Sequence, residues 1–287
     1  MTPEEMKTCQ DGLRSIVNTY GRLVAKANDG RALDSGTAVF IKVDNVPLIT
    51  SAQHVVSGLS KKGSIYLQVF REWAAGTSGL MSPPTEFIID PGSCLDLPRN
   101  KLLDIIALRP PFDVSSSPLI KWFDGGRHAE AMQYFREEIP KTKEPWLAGM
   151  LVGFPRFARF EDILLHIEPA GSIAIWALLH NVSDPPEVLG LPPEVIVELD
   201  PPHLEDLPVN TPNLFRLCVQ QFWRLVEADE AAIGGYSGGP LMYFCERDSF
   251  LIGVMKEASL RLGGQAVATP IDTFVESVRS TAGWPSV

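Results

Sequence analysis

The spacing of hydrophobic positions changes character along this chain. Leu13, Ile16, Val17, Tyr20, Leu23 and Val24 recur every three or four residues, the period of one helix face. They follow Thr2-Pro3-Glu4-Glu5, which offers a capping hydroxyl, a proline for the first helical position and acids for the positive end of the dipole. The pattern predicts an N-terminal helix that stops before Asn28-Asp29-Gly30. From Ser35 onward the apolar runs shorten to strand length. Residues 37–43 and 46–50 flank Asp44-Asn45, a pair suited to a tight hairpin. Residues 64–70, 86–89 and 102–108 read as further strands, and Pro110-Pro111 closes the block.

A helical period returns over 128–139, with Met132, Phe135 and Ile139 on one face. Strands resume at 146–153, 163–168, 172–179, 195–199, 214–222, 241–245, 250–255 and 265–268, with a proline-rich excursion over 200–212. Pro270-Ile271-Asp272 opens a terminal helix carrying Phe274, Val275 and Val278. Many short strands between Gly/Pro turns favour a barrel or sandwich over a parallel α/β sheet. The expected organisation is an N-terminal helical extension (1–34), a first β unit (35–117), a connection with a helix (118–144), and a second β unit with the terminal helix (145–287).

Composition narrows the partners. A chain of 287 residues, 45% hydrophobic, can bury one large domain or two ordinary barrels. A net charge of -10 argues against nucleic acid or an anionic membrane as the main partner. No apolar run approaches the roughly 20 residues of a membrane span, and the start Met-Thr-Pro-Glu-Glu-Met-Lys is unlike a secretory signal. Cys9, Cys94, Cys218 and Cys245 are scattered, without a CxxC pair, which speaks against zinc and against a disulfide framework. A reduced, cytoplasmic protein without metal or cofactor is expected.

Candidate chemistry sits in three segments. Gly235-Tyr236-Ser237-Gly238-Gly239-Pro240 surrounds one serine with small, turn-forming residues. Such residues leave the hydroxyl accessible and let backbone N–H groups face whatever it attacks. Ser51-Ala52-Gln53-His54 ends an apolar strand, and an imidazole there can take a proton from serine and return it to a leaving amine. Asp104 lies in Leu102-Leu103-Asp104-Ile105-Ile106-Ala107-Leu108. A carboxylate in an apolar strand is costly to bury alone, and a histidine Nδ1–H is a fitting partner. His128, His166, His180 and His203 lack comparable surroundings and receive no role.

The order His54, Asp104, Ser237 in these settings resembles the trypsin-like (chymotrypsin-fold) serine proteases. The family patterns are Thr/Ser-Ala-x-His, Asp-Ile-Ala-Leu and Gly-Asp/Asn-Ser-Gly-Gly-Pro. Ser35-Gly36-Thr37-Ala38-Val39-Phe40 resembles the strand before the family's histidine, and Leu151-Val152-Gly153-Phe154-Pro155 a Gly-x-Pro turn of the second barrel. Gly253-Val254-Met255 and the stretch 266–271 are similar to strands around the substrate pocket in the bacterial HtrA/Deg-type protease domain, here without a PDZ domain. The resemblance covers about residues 35 to 279. It implies an all-β fold of two antiparallel six-stranded Greek-key β-barrels, with the site in the cleft between them. It further implies Ser237 as nucleophile, His54 as general base and acid, Asp104 as orienting carboxylate, and the N–H groups of Gly235 and Ser237 as an oxyanion hole. The implied activity is intracellular serine endopeptidase, EC 3.4.21 class, acting on a protein or peptide. The alternatives are a non-catalytic binding module on the same scaffold and an esterase-type acyl hydrolase.

Three departures from the family pattern matter. Tyr236 stands where the family has Asp or Asn, so activation by a newly cut N-terminal amine is not expected. Ile233-Gly234-Gly235 adds a glycine upstream, which predicts a loop poorly formed at rest and activity that depends on a regulatory partner or the substrate. The aspartate motif carries one isoleucine more than the family's. For the pocket, the family pattern points to Ala231 at the floor, with Lys256, Glu257 and Ala266 around it. Alanine there favours a small or apolar P1 residue; Glu230 or Glu257 reaching the pocket would instead favour Lys or Arg.

Overall fold

The computed structural model describes residues 12, 15–16, 18–69, 84–97, 103–138, 148–154, 173–178, 194–200, 230–245, 248–259 and 264–285. The first half is a sheet of β1 (Tyr20–Lys26), β2 (Ala32–Val43), β3 (Val46–Ala52), β4 (Ser64–Val69), β5 (Thr85–Ile89), β6 (Ile105–Leu108) and β7 (Phe123–Asp124). Its antiparallel path runs β5-β4-β1-β2-β3-β6, and β7 pairs in parallel with β2. The second half is a closed antiparallel barrel of β8 (Ala148–Gly153), β9 (Ile173–Leu178), β10 (Val195–Asp200), β11 (Pro240–Cys245), β12 (Asp248–Ser259) and β13 (Gln265–Pro270). Its order is β10-β13-β12-β11-β8-β9. The chain is therefore an all-β, chymotrypsin-like architecture, with a second barrel of six strands as expected. The first half differs in detail: it has seven strands, and no pairing among the described residues joins β5 to β6.

The expected hairpin forms at Asp44-Asn45, whose φ angles of 51° and 65° are both left-handed. That is the turn whose twist matches the flanking strands. The terminal helix Ile271–Arg279 reaches back to it. Arg279 donates to both Asp44 carboxylate oxygens, and the Trp284 Nε1–H donates to Asp44 Oδ2 at 3.1 Å. These bonds, led by Arg279, hold the Asp44 carboxyl below the usual range despite its desolvation.

Four sequence expectations are corrected. Gly12, Ser15 and Ile16 are helical, but Tyr20, Leu23 and Val24 belong to β1. β1 lies between β2 and β4, with Leu23, Val24 and Ala25 fully buried. A strand covered on both faces needs no alternation, so its apolar run mimics helical spacing. Second, His54 is not at a strand end but in the first turn of a helix, Gln53–Ser60, which buries Val55, Val56 and Leu59. Third, Asp104 precedes β6 instead of lying within it. Fourth, a 3-10 helix, Glu230–Tyr236, leads into the serine. The helix expected over 128–139 is present as Gly125–Glu138. The strands expected at 163–168 and 214–222 lie outside the described residues, as does the excursion expected over 200–212 apart from Asp200, which ends β10.

One hydrophobic cluster crosses from one half to the other. It joins Val39, Ile41 and Leu48 of the first sheet to Leu151, Leu241 and Met255 of the barrel. A second cluster, with Phe40, Ile49, Val56 and Leu67, lies on the other face of the first sheet. The site sits where these halves meet.

Candidate active site

Register in the β3–β6 ladder brings the first two candidates together. Ala52 pairs with Ile105, and the next step along the ladder sets Gln53 against Asp104. The Gln53 N–H donates to the Asp104 carbonyl oxygen at 3.0 Å. Helix Gln53–Ser60 has no side-chain cap of its own at Ala52, leaving orphan N–H groups at its start. Asp104 supplies the missing acceptors from the facing strand. Its Oδ1 accepts the His54 backbone N–H at 3.1 Å, and its Oδ2 lies 2.6 Å from His54 Nδ1. The carboxylate thus fixes both the helix start and the imidazole. Asp104 does this at φ 47°, a left-handed conformation that aspartate tolerates better than most residues. The His54 side chain is half exposed, and Asp104 is more sheltered.

A brace from the second half reaches the same turn. Thr269, on β13 and 1% exposed, donates its hydroxyl to the Leu103 carbonyl oxygen at 2.7 Å. Asp104 is therefore held from both halves, by the ladder on one side and by Thr269 on the other.

Ser237 enters the site from the end of the 3-10 helix and is buried, 3% exposed, not open as the small neighbours suggested. Its carbonyl oxygen accepts the Thr37 N–H at 3.1 Å. The Thr37 hydroxyl donates to the Gly235 carbonyl oxygen at 2.8 Å and accepts the Phe154 N–H at 3.1 Å. The Thr37 carbonyl accepts from Ser51 Oγ at 2.7 Å. Thr37 is fully buried, and each of its polar groups is used. Gly238 sits beside it with φ 85°, and a Cβ there would overlap Ser51 Oγ and the Thr37 carbonyl and approach Ala52 N to 3.0 Å. Only glycine meets both demands. The serine loop is thereby docked against the strand end that leads into His54.

Tyr236 turns away from the site. It is fully buried in the cluster that joins the halves, and burial pushes its phenol well above the usual range. The space comes from Gly153, where a Cβ would stand 2.6 Å from the Tyr236 ring.

The two N–H groups expected to form an oxyanion hole do not converge in this conformation. The Ser237 N–H donates to the Gly234 carbonyl oxygen at 3.3 Å. No peptide bond is cis, and the C=O and N–H of one trans peptide point in opposite directions. With Gly234 O turned toward Ser237, the Gly235 N–H is turned away.

The residues expected at the pocket are spread over different surroundings. Ala231 is in the 3-10 helix, but its side chain lies outside the described residues. Lys256, the extra residue at a register shift in β12, pairs with Glu194 at 2.5 Å. Glu257 is exposed, whereas Ala266 is buried in the barrel cluster. Sequence reasoning assigned Thr269 no role of its own and marked Gly234 only as an added glycine that loosens the loop. Thr37 was visible only as part of a small-residue strand, since its hydrogen bonds are made across the fold. Among the described residues, no cluster of His, Cys, Asp or Glu could hold a metal ion, and no helix is long and apolar enough to cross a membrane.

No family model and no curated protein matches this chain. Solved structures similar to it include three of one protease. The active form of the Rv3671c protease from M. tuberculosis is 13% identical with a TM-score of 0.47, over 100% of this chain and 89% of that one. A serine-to-alanine mutant of Rv3671c in the inactive form is 13% identical with a TM-score of 0.48, over 100% and 98% of the two chains. The inactive form of the protease is 12% identical with a TM-score of 0.46, over 98% and 97%. At this distance, the chemistry of the chain rests on its own residues.

Proposed function

We propose that this chain is an intracellular serine endopeptidase acting through an acyl-enzyme. The observation that carries the reading is the Asp104 carboxylate gripping His54 at both Nδ1 and the backbone N–H. Held in that way, His54 keeps its proton on Nδ1 and leaves Nε2 as the base. Ser237 Oγ attacks the peptide carbonyl carbon and gives its proton to Nε2. The tetrahedral intermediate collapses, the C–N bond breaks, and Nε2–H protonates the leaving amine. Water, deprotonated by the same nitrogen, then hydrolyses the Ser237 ester and restores the hydroxyl.

A small or apolar P1 residue is the favoured specificity. The pairing of Lys256 with Glu194 supports it, because that lysine charge is already matched. Regulation by a protein partner belongs to the same proposal, since a cytoplasmic endopeptidase needs restraint.

Labelling by a fluorophosphonate probe that disappears in Ser237→Ala, with cleavage of peptides in preference to simple esters, is the expected result. Faster turnover of simple esters would assign the esterase reading, and strict cleavage after Lys or Arg would remove the apolar P1. The second reading, a non-catalytic binding module, draws on the burial of Ser237 and the engagement of its N–H by Gly234. Absence of labelling under every condition would select it.

A further inference from the structure

We infer that Thr269 is a positioning residue of this site: its hydroxyl, reaching across from the second half, aims the Asp104 carboxylate at His54. The inference deepens the endopeptidase reading and rests on it. Asp104 is the junction of two peptide planes. The plane before it carries the Leu103 carbonyl, which accepts the Thr269 hydroxyl at 2.7 Å. The plane after it carries the Asp104 carbonyl, which accepts the Gln53 N–H at 3.0 Å. Peptide planes are rigid, so pinning both sets φ and ψ of Asp104, and with them the direction of its Cα–Cβ bond. That direction delivers Oδ2 to 2.6 Å from His54 Nδ1 and Oδ1 to 3.1 Å from the His54 N–H.

The pinned conformation is one that the backbone does not favour by itself. At φ 47° Asp104 is left-handed, where the Cβ of an L-residue crowds the following carbonyl. Rotating the Leu103–Asp104 plane back toward negative φ would relieve the crowding and swing the carboxylate off the imidazole. The Thr269 bond resists that rotation, because the carbonyl it holds lies in the plane that would turn.

Thr269 is itself a fixed donor. Pro270 follows it in β13 and restricts it to extended backbone, and branching at Cβ limits its χ1. It is 1% exposed, and β12 closes on it at Gly253, where a Cβ would stand 2.9 Å from the Thr269 carbonyl oxygen. In register Thr269 faces Val254, the neighbour of Met255. The Met255 N–H donates to the Gly239 carbonyl at 2.9 Å, and the Met255 carbonyl accepts the Gly238 N–H at 2.8 Å. One hydrogen-bonded stretch of β12 and β13 therefore touches both the residues that follow Ser237 and the turn that holds Asp104. Thr37 reaches the opposite way, from the first sheet to the Gly235 and Ser237 carbonyls. The two threonines cross-brace the halves, and Thr269 is the one that bears on the acid and the base.

The test compares the full chain with Thr269→Val, Thr269→Ala and Thr269→Ser, each checked for folding by urea unfolding. Valine keeps the volume and removes the hydroxyl; alanine removes it without setting a methyl group against the Leu103 carbonyl; serine keeps it. Because a 1 Å misplacement costs about 100-fold, folded Thr269→Val should lose about 10- to 100-fold in kcat with KM changed by less than about twofold. Thr269→Ser should recover most of that loss. The low-field proton resonance of His54 Nδ1–H should shift or weaken in the valine and alanine variants and return in the serine variant. A loss that acts through Asp104 should also disappear in an Asp104→Asn background, where adding Thr269→Val should leave fluorophosphonate labelling within about twofold of its parent. Wild-type kcat, or an unmoved resonance, in either folded variant lacking the hydroxyl would overturn the positioning role and leave the endopeptidase reading standing. So would a full loss that persists in the Asp104→Asn background. Failure of the wild type to label at all sinks the endopeptidase reading, and the role of Thr269 with it.

Discussion

The Thr37 hydroxyl donates to the carbonyl oxygen of Gly235 at 2.8 Å, joining positions 198 residues apart. The Thr37 hydroxyl oxygen in turn accepts the Phe154 N–H, so one side chain ties β2 of the first sheet to both the serine loop and the end of β8. Thr37→Val is nearly isosteric and removes only the hydroxyl. It leaves a buried carbonyl and a buried N–H without their partner, each worth about 1–3 kcal/mol. We expect a stability loss of about 2–4 kcal/mol in urea unfolding, together with at least about tenfold slower labelling of Ser237. Thr37→Ser keeps the oxygen and should restore the labelling. Equal labelling in the folded Val and Ser variants would show that Thr37 does not position the loop.

Asp104 combines a helix cap with the orientation of His54, and two variants separate these roles. Asp104→Asn preserves shape and tolerance for a left-handed φ, but its amide no longer enforces one imidazole tautomer. Peptidase turnover should drop by about 10⁴-fold, the cost of the wrong tautomer in a triad, while stability changes by only about 1 kcal/mol. Asp104→Ala also loses the acceptor for the His54 N–H and strains the backbone at φ 47°. It should unfold at clearly lower urea concentration than Asp104→Asn. Retention of near wild-type turnover by Asp104→Asn would remove Asp104 from the catalytic group.

His128 makes a separate prediction about acid. It is 5% exposed, edge-on to Phe123 and Phe250, and its Nδ1 accepts the Leu251 N–H at 3.3 Å. Burial first, and then the Arg127 charge, hold its pKa down to about 4, against opposing pulls from Asp124 and Asp248. The unfolded imidazole binds a proton near pH 6.5 and the folded one does not. Stability from this site is therefore complete above about pH 6.5 and is lost as pH falls toward about 4, a total of about 3 kcal/mol. His128→Gln keeps an acceptor for Leu251 but cannot titrate. Urea unfolding between those pH values should show a flatter acid slope in the variant. An unchanged slope would mean that other groups set the acid limit.

Much of the site was legible in one dimension because its chemistry depends on residue type and local setting. His54, Asp104 and Ser237 could be named from three short segments, as could the Asp44-Asn45 turn and the strands with clear edges. β1 could not, since a strand buried on both faces shows no alternation and its apolar residues fit a helix equally well. Nor could the helix that carries His54. Its first N–H groups find their acceptors on Asp104, beyond any local window. The candidate nucleophile, its candidate base and their order could be named from residue types along the chain and the family resemblance they carry. The β3–β6 register, the Thr37 tether and the direction of the Gly234–Gly235 peptide were decided only by tertiary structure. Each depends on a hydrogen bond between distant segments or on a backbone angle that glycine leaves open, and neither leaves a trace in residue order.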